Sequence, residues 1–96
     1  MHVMFIDSSI EEHDIVESHF KNSHKIIHAY DLTEAALYIK CCQFNIGLVL
    51  FGVFEGSNNI DKCVGLLNNA GDKEPVKYSV YDRLYLKQIK KELVSN

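Results

Sequence analysis

Asp7 is the first side chain placed where chemistry could be done. It follows the apolar run His2–Ile6 (HVMFI) directly. A carboxylate just past a buried strand lies at the carboxyl edge of an α/β sheet, where ligands and catalytic groups collect. Ser8 and Ser9 come next. A second apolar run, Ile46–Phe51 (IGLVLF), leads to the same kind of address, but the residue that stands there is Gly52, which is neither an acid, a nucleophile nor a metal ligand. Beyond it the polar loop EGSNN at 55–59 supplies Glu55, the other acid near that edge, and the segment around Ser79 offers a hydroxyl that could point to the same rim. Ser79 reads more simply as an outward strand residue, and Asp7 as a structural acid holding a loop amide. Asp7, Glu55 and Ser79 together allow a small ligand site, for Mg²⁺ with a phosphoryl group or for catalysis. Two acids, however, are fewer oxygen ligands than a dedicated magnesium site usually brings.

Other chemistries lack their motifs. Neither GxGxxG nor GxxxxGK[ST] is present to cradle phosphates, and no GxSxG surrounds any serine. Cys41 and Cys42 are adjacent and Cys63 is alone, so CxxC spacing for zinc or redox work is missing. They read as small apolar fillers. His2, His13, His19, His24 and His28 form no HExxH or comparable ligand pair. The expectation is a domain with no metal, no cofactor and no enzymatic activity.

The elements that would hold these residues follow from patterning. A short apolar run bounded by turn signals, such as 46–51, reads as a strand buried on both faces, and such strands belong to parallel sheets covered by helices. His2–Ile6 is the first strand. Ser9 and Glu12 form a capping box, the Ser9 hydroxyl accepting from the Glu12 amide and the Glu12 carboxylate reaching back. It opens a helix to about Phe20, with Ile10, Val16 and Phe20 buried. KIIHAY at 25–30 is a second strand. Asp31 and Glu34 form another box, and Leu32, Ala35, Ala36 and Ile39 fall on one helix face, ending near Gln43. After the third strand, Ile60, Cys63, Val64 and Leu67 line a third helix, which Gly71 stops in a left-handed conformation. Pro75 opens a fourth strand whose alternation, Val76, Tyr78 and Val80 against Lys77, Ser79 and Tyr81, places it near the sheet edge. Asp82 caps a last helix with Leu86, Ile89 and Leu93 inside and Arg83, Lys87, Lys90 and Lys91 outside, the basic residues forming a solvated surface.

Strand and helix thus alternate four times, which implies an α/β fold with a parallel sheet, right-handed crossovers and helices on both faces. The simplest winding is flavodoxin-like, shortened because the usual fifth strand is missing. The 96 residues suit one domain, 1–96. At this size only a little over roughly 60% of the unfolded surface is buried, so a partner could contribute. Hydrophobic and charged fractions of 47% and 24% are ordinary for a soluble globular chain. A net charge of −3 argues against direct nucleic-acid binding. No apolar run approaches the roughly 20 residues that span a bilayer, and Asp7 comes too early for a signal peptide. The expected location is cytoplasmic.

This order resembles response-regulator receiver domains, the CheY-like fold. Receivers carry an acidic pair after strand one, a phosphorylated aspartate after strand three, a Ser/Thr after strand four and a lysine after strand five. On that pattern Asp7 matches one acid, Ser8 replaces the other, Gly52 takes the place of the phosphorylated aspartate, and Ser79 matches the Ser/Thr with a one-residue gap. No fifth strand brings the lysine. Without a carboxylate nucleophile, aspartyl-phosphate chemistry cannot occur there. FIDSS at 5–9, LVLFGVFEGSNNIDKCVGLL at 48–67 and EPVKYSVYD at 74–82 are similar to the atypical receiver domain that begins the FleQ/FlrA-type flagellar master regulators, bacterial activators of the sigma-N polymerase. The likeness is sharpest in LFG-x-x-E at 50–55 and extends over nearly the whole chain. It implies transcription regulation without phosphorylation. The domain would form a homodimer and contact an AAA+ ATPase module or a partner protein. The fourth strand and last helix, with Tyr81, Leu86 and Leu93, are the expected interface, covering roughly 800 Å² per partner.

Overall fold

The structure is a computed structural model that describes residues 2–71 and 74–86. The elements are β1 (His2–Ile6), α1 (Ile10–Phe20), β2 (Lys25–Ala29), α2 (Leu32–Cys42), β3 (Ile46–Phe51), α3 (Ile60–Ala70) and β4 (Tyr78–Val80), with single 3₁₀ turns at Gln43–Asn45 and Arg83–Tyr85. The four strands form one parallel sheet in the order β2-β1-β3-β4, an α/β architecture that fits the shortened CheY-like winding. The winding reverses between β1 and β3, the place where such sheets open a crevice.

Strand alternation sorts the core into two layers. Met4, Ile6, Val49 and Phe51 join Ala35 and Ile39 of α2 and Cys63 and Leu67 of α3 on one face. Val3, Phe5 and Leu50 join Val16 and Phe20 of α1, and Leu86, on the other. Each fully buried Phe or Leu here contributes about 1.5–3 kcal/mol by removal of apolar surface from water. Gly47 has no partner across the ladder: His2 pairs with Ile46 and Val3 with Leu48, so the glycine is the extra residue of a β-bulge.

The caps form on one side only. Ser9 Oγ accepts from the Glu12 amide at 3.4 Å and Asp31 Oδ1 from the Glu34 amide at 2.7 Å. The reciprocal bonds differ from expectation. The Ser9 amide donates to Asp7, which leaves Glu12 free for partners 69 and 71 residues away. Glu34 reaches the amide of Tyr30.

Three further expectations are corrected. Ile10 is 68% exposed, and His13 joins Val16 and Phe20 as the buried stripe of α1. Gly71 is extended, with φ −97, and not left-handed. A Cβ there would meet the flexible end of the Gln43 side chain, whose Nε2 donates to the Glu74 carbonyl at 2.7 Å. β4 begins at Tyr78 and not at Pro75, because the Val76 amide is taken by Asn68 Oδ1. Among the described residues β4 lies at one edge of the sheet, as its alternation implies, and β2 at the other. Of the last helix, Leu86 is described; Ile89 and Leu93 lie outside the described residues. Among the described residues no helix is long and apolar enough to cross a membrane.

Candidate functional site

The carboxyl ends of β1 and β3 are laced together. The Gly52 amide donates to the Ile6 carbonyl at 2.8 Å and the Ser8 amide to the Val53 carbonyl at 2.9 Å. Ser8 Oγ adds a bond to the same Val53 carbonyl at 3.2 Å. Between these segments stands the Asp7 carboxylate, 2% exposed. Oδ1 accepts from the Ser9 amide at 2.8 Å and Oδ2 from the Val53 amide at 2.9 Å. A buried carboxylate needs such donors, and here the two loops supply them. The acid therefore holds the start of α1 and the exit of β3 in register.

Gly52 is the complement of that arrangement. A Cβ at this position would lie 2.2 Å from Asp7 Oδ2 and 2.9 Å from Asp7 Cβ and Cγ. The volume in which a nucleophilic side chain at position 52 would begin is filled by Asp7. Neither carboxylate oxygen of Asp7 lacks a hydrogen-bond partner, and the hydroxyls of Ser8 and Ser9 serve as a loop tie and a helix cap.

Above this lacing lies an open cleft of about 480 Å³, lined by Asp7, Ser8, Ser9, Glu12, Val53, Tyr81, Asp82 and Arg83. One wall is a three-membered network. Tyr81 donates its hydroxyl to Glu12 Oε2 at 2.8 Å, and Arg83 pairs with Glu12 Oε1. The hydrogen bonds from Tyr81 and Arg83 hold the Glu12 carboxyl below its usual range. Burial, then Glu12, pushes the Tyr81 phenol up to about 12, and the Glu12 bond raises Arg83. The Tyr81 ring also packs edge-on against Phe5, with centroids 4.8 Å apart. The network ties the chain after β4 to α1 across the cleft.

The expected site residues are thus divided. Asp7, Ser8 and Gly52 meet at the rim. Glu55 is exposed in the loop and does not line the cleft. Ser79 lies within β4 opposite Leu50, one position short of the strand end, and Tyr81 takes the rim place beyond it. Leu86 is buried in the core at 5% exposure, and Tyr81 is half-buried with its hydroxyl engaged, so these two face their own domain. Among the described residues no group of three His, Cys, Asp or Glu could hold a metal ion.

Glu12, Arg83, His13 and His28 were not singled out for any role at the rim by sequence reasoning. Glu12 has the spacing of a cap, Arg83 the look of a solvated helix residue, and the partners of all four lie too far along the chain for local patterns to report.

Comparison of the chain with protein-family models, curated proteins and solved structures returns no match.

Proposed function

We propose that the chain is a non-catalytic, non-phosphorylatable receiver-like regulatory domain, of the kind that begins FleQ/FlrA-type flagellar transcription activators. In this reading it works in the cytoplasm as a homodimer that contacts an ATPase module or a partner protein. The observation that carries it is the Asp7–Gly52 relationship. The position corresponding to a phosphoacceptor has no side chain, and the neighbouring acid occupies its space with both oxygens bound to amides. The LFG-x-x-E likeness at 50–55 supports the family reading.

With no chemical event to bias its state, such a domain acts through the surface it presents. Tyr78 and Val80 of β4, Val53 at the exit of β3 and Leu84 in the turn after β4 are exposed apolar residues. An edge strand of this kind accepts a partner more readily than a covered one. In this reading the docking surface lies on residues next to Tyr81 and Leu86 rather than on those two.

Sedimentation equilibrium over a concentration series tests the proposal. A reversible monomer–dimer equilibrium is expected. A strict monomer at every concentration, together with no association with an ATPase module supplied in trans, would overturn it.

A further inference from the structure

His13 of α1 and His28 of β2 approach each other beneath the rim, with Nδ1 to Nδ1 at 2.6 Å. The far nitrogen of each ring is already assigned. His13 Nε2 lies 2.8 Å from the Asp7 backbone carbonyl, which can only accept, so His13 Nε2 carries a proton. His28 Nε2 lies 2.7 Å from Glu17 Oε2, and that carboxylate also accepts, so His28 Nε2 carries a proton too. Two bare Nδ1 atoms at 2.6 Å would set lone pair against lone pair, and two protonated ones would set hydrogen against hydrogen. A hydrogen bond at this distance takes one proton between them, and with both Nε2–H donors kept the pair carries three ring protons in all.

We propose that His13 and His28 form a shared-proton clasp that ties α1 to β2, tightest with three ring protons and weakened by gain or loss of one, so that the rim around Asp7 responds to pH. This inference does not rest on the regulatory reading above.

In this proposal the added proton is assigned to His28 by accessibility. Its ring is half-buried and adjoins the exposed Glu17 carboxylate, whereas His13 is 1% exposed. Burial pushes His13 down, as does the neighbouring His28, against the opposing pull of the Asp7 carbonyl and carboxylate. The groups facing the pair are Glu17 from α1, Asp7 from the end of β1, the Tyr30 phenol after β2, whose ring centroid is 4.1 Å from that of His13, and the apolar Phe5 ring. Transmission to the rim is direct. His13 holds the carbonyl of Asp7, and the Asp7 carboxylate holds Ser9 and Val53.

The pH dependence has two sides. As pH rises one ring proton leaves; the neutral pair keeps the Nδ1–Nδ1 hydrogen bond only by giving up an Nε2–H such as the one His28 donates to Glu17, and the stability of the three-proton arrangement is lost. As pH falls His13 is forced to accept a charge that its burial disfavours, and stability is lost again. The fold is most stable between these limits.

The test is histidine-ring and backbone NMR on the intact chain across roughly pH 5–8, where imidazoles titrate. Expected are a His13 ring protonated at Nε2 alone, a His28 ring protonated at both nitrogens on the acid side, and Ser9 and Val53 amide shifts that follow the same midpoint as the rings. Glu17→Gln, at an exposed position, should move that midpoint to lower pH. His28→Gln should abolish the shared transition at Ser9 and Val53. A His28 ring with a single proton on the acid side, amides that ignore the ring titration, or a midpoint unmoved by Glu17→Gln would overturn the clasp. The Glu17 variant decides the matter if His28→Gln does not fold.

Discussion

A Cβ on residue 52 would stand 2.2 Å from Oδ2 of Asp7, so the glycine and the acid occupy one side-chain volume between them. The pairing explains why an acid-rimmed α/β sheet presents no nucleophile where its third strand ends. It also makes the two positions energetically dependent on each other. Gly52→Ala should destabilise the fold by about 1–3 kcal/mol through overpacking, and Asp7→Ala by about 1–3 kcal/mol through unpaired Ser9 and Val53 amides. The double variant should cost less than the sum, because Asp7→Ala removes the nearest clash. Urea unfolding of all three proteins measures the coupling, and strict additivity would contradict the shared volume.

The Glu12–Tyr81–Arg83 network predicts an alkaline transition. Tyr81 is raised to about 12, so its neutral form contributes stability that is fully present below the ordinary tyrosine value of about 10 and lost as pH rises through 12. Ultraviolet titration of tyrosinate should show a late-ionising phenol that is lost in Tyr81→Phe. The same variant should lose about 1 kcal/mol at neutral pH. Glu12 runs the other way. Its depressed carboxyl supports the fold above the ordinary carboxylate range, and that support is lost as pH falls through the depressed value. Glu12→Gln should therefore flatten the acid limb of the stability profile.

Much of the fold was legible because it is written in local patterns. Apolar runs at 2–6 and 46–51 mark buried strands, and Ser9 and Asp31 mark helix starts, so the βα order and the edge position of β4 follow. The Asp7–Gly52 address was legible for the same reason, since both follow strand ends. What escaped was set by distant partners. Glu12 looked like a capping residue until Ser9 turned its amide to Asp7, and Leu86 looked available for a partner until the chain after β4 folded it against Val16 and Phe20. His13 and His28 carry no motif, and only the packing of α1 on β2 brings their rings together.

Leu84 and Leu86 provide a contrast within three residues. Leu84 is 88% exposed and Leu86 is 5% exposed. Leu86→Ala should cost about 2–5 kcal/mol as a core truncation, whereas Leu84→Ala should stay within about 0.5 kcal/mol. Thermal or urea midpoints of the two variants check this directly, and equal effects would refute the inward placement of Leu86.

For the proposed surface, Val80→Lys and Leu84→Glu place charges on exposed apolar positions. Both should weaken self-association at least tenfold in sedimentation equilibrium while leaving the unfolding midpoint of the monomer nearly unchanged. Unaltered association would move the interface elsewhere on the domain.

In the proposed function the rim is a closed structural joint and not a phosphoryl site. The most direct measurement is an amide chemical-shift titration with millimolar Mg²⁺ and beryllofluoride, a phosphoryl mimic. The account predicts no saturable change at Asp7, Ser9, Gly52, Val53 or Glu55. A saturable shift confined to those amides and Ser79 would contradict it, and would establish a ligand site built on Asp7.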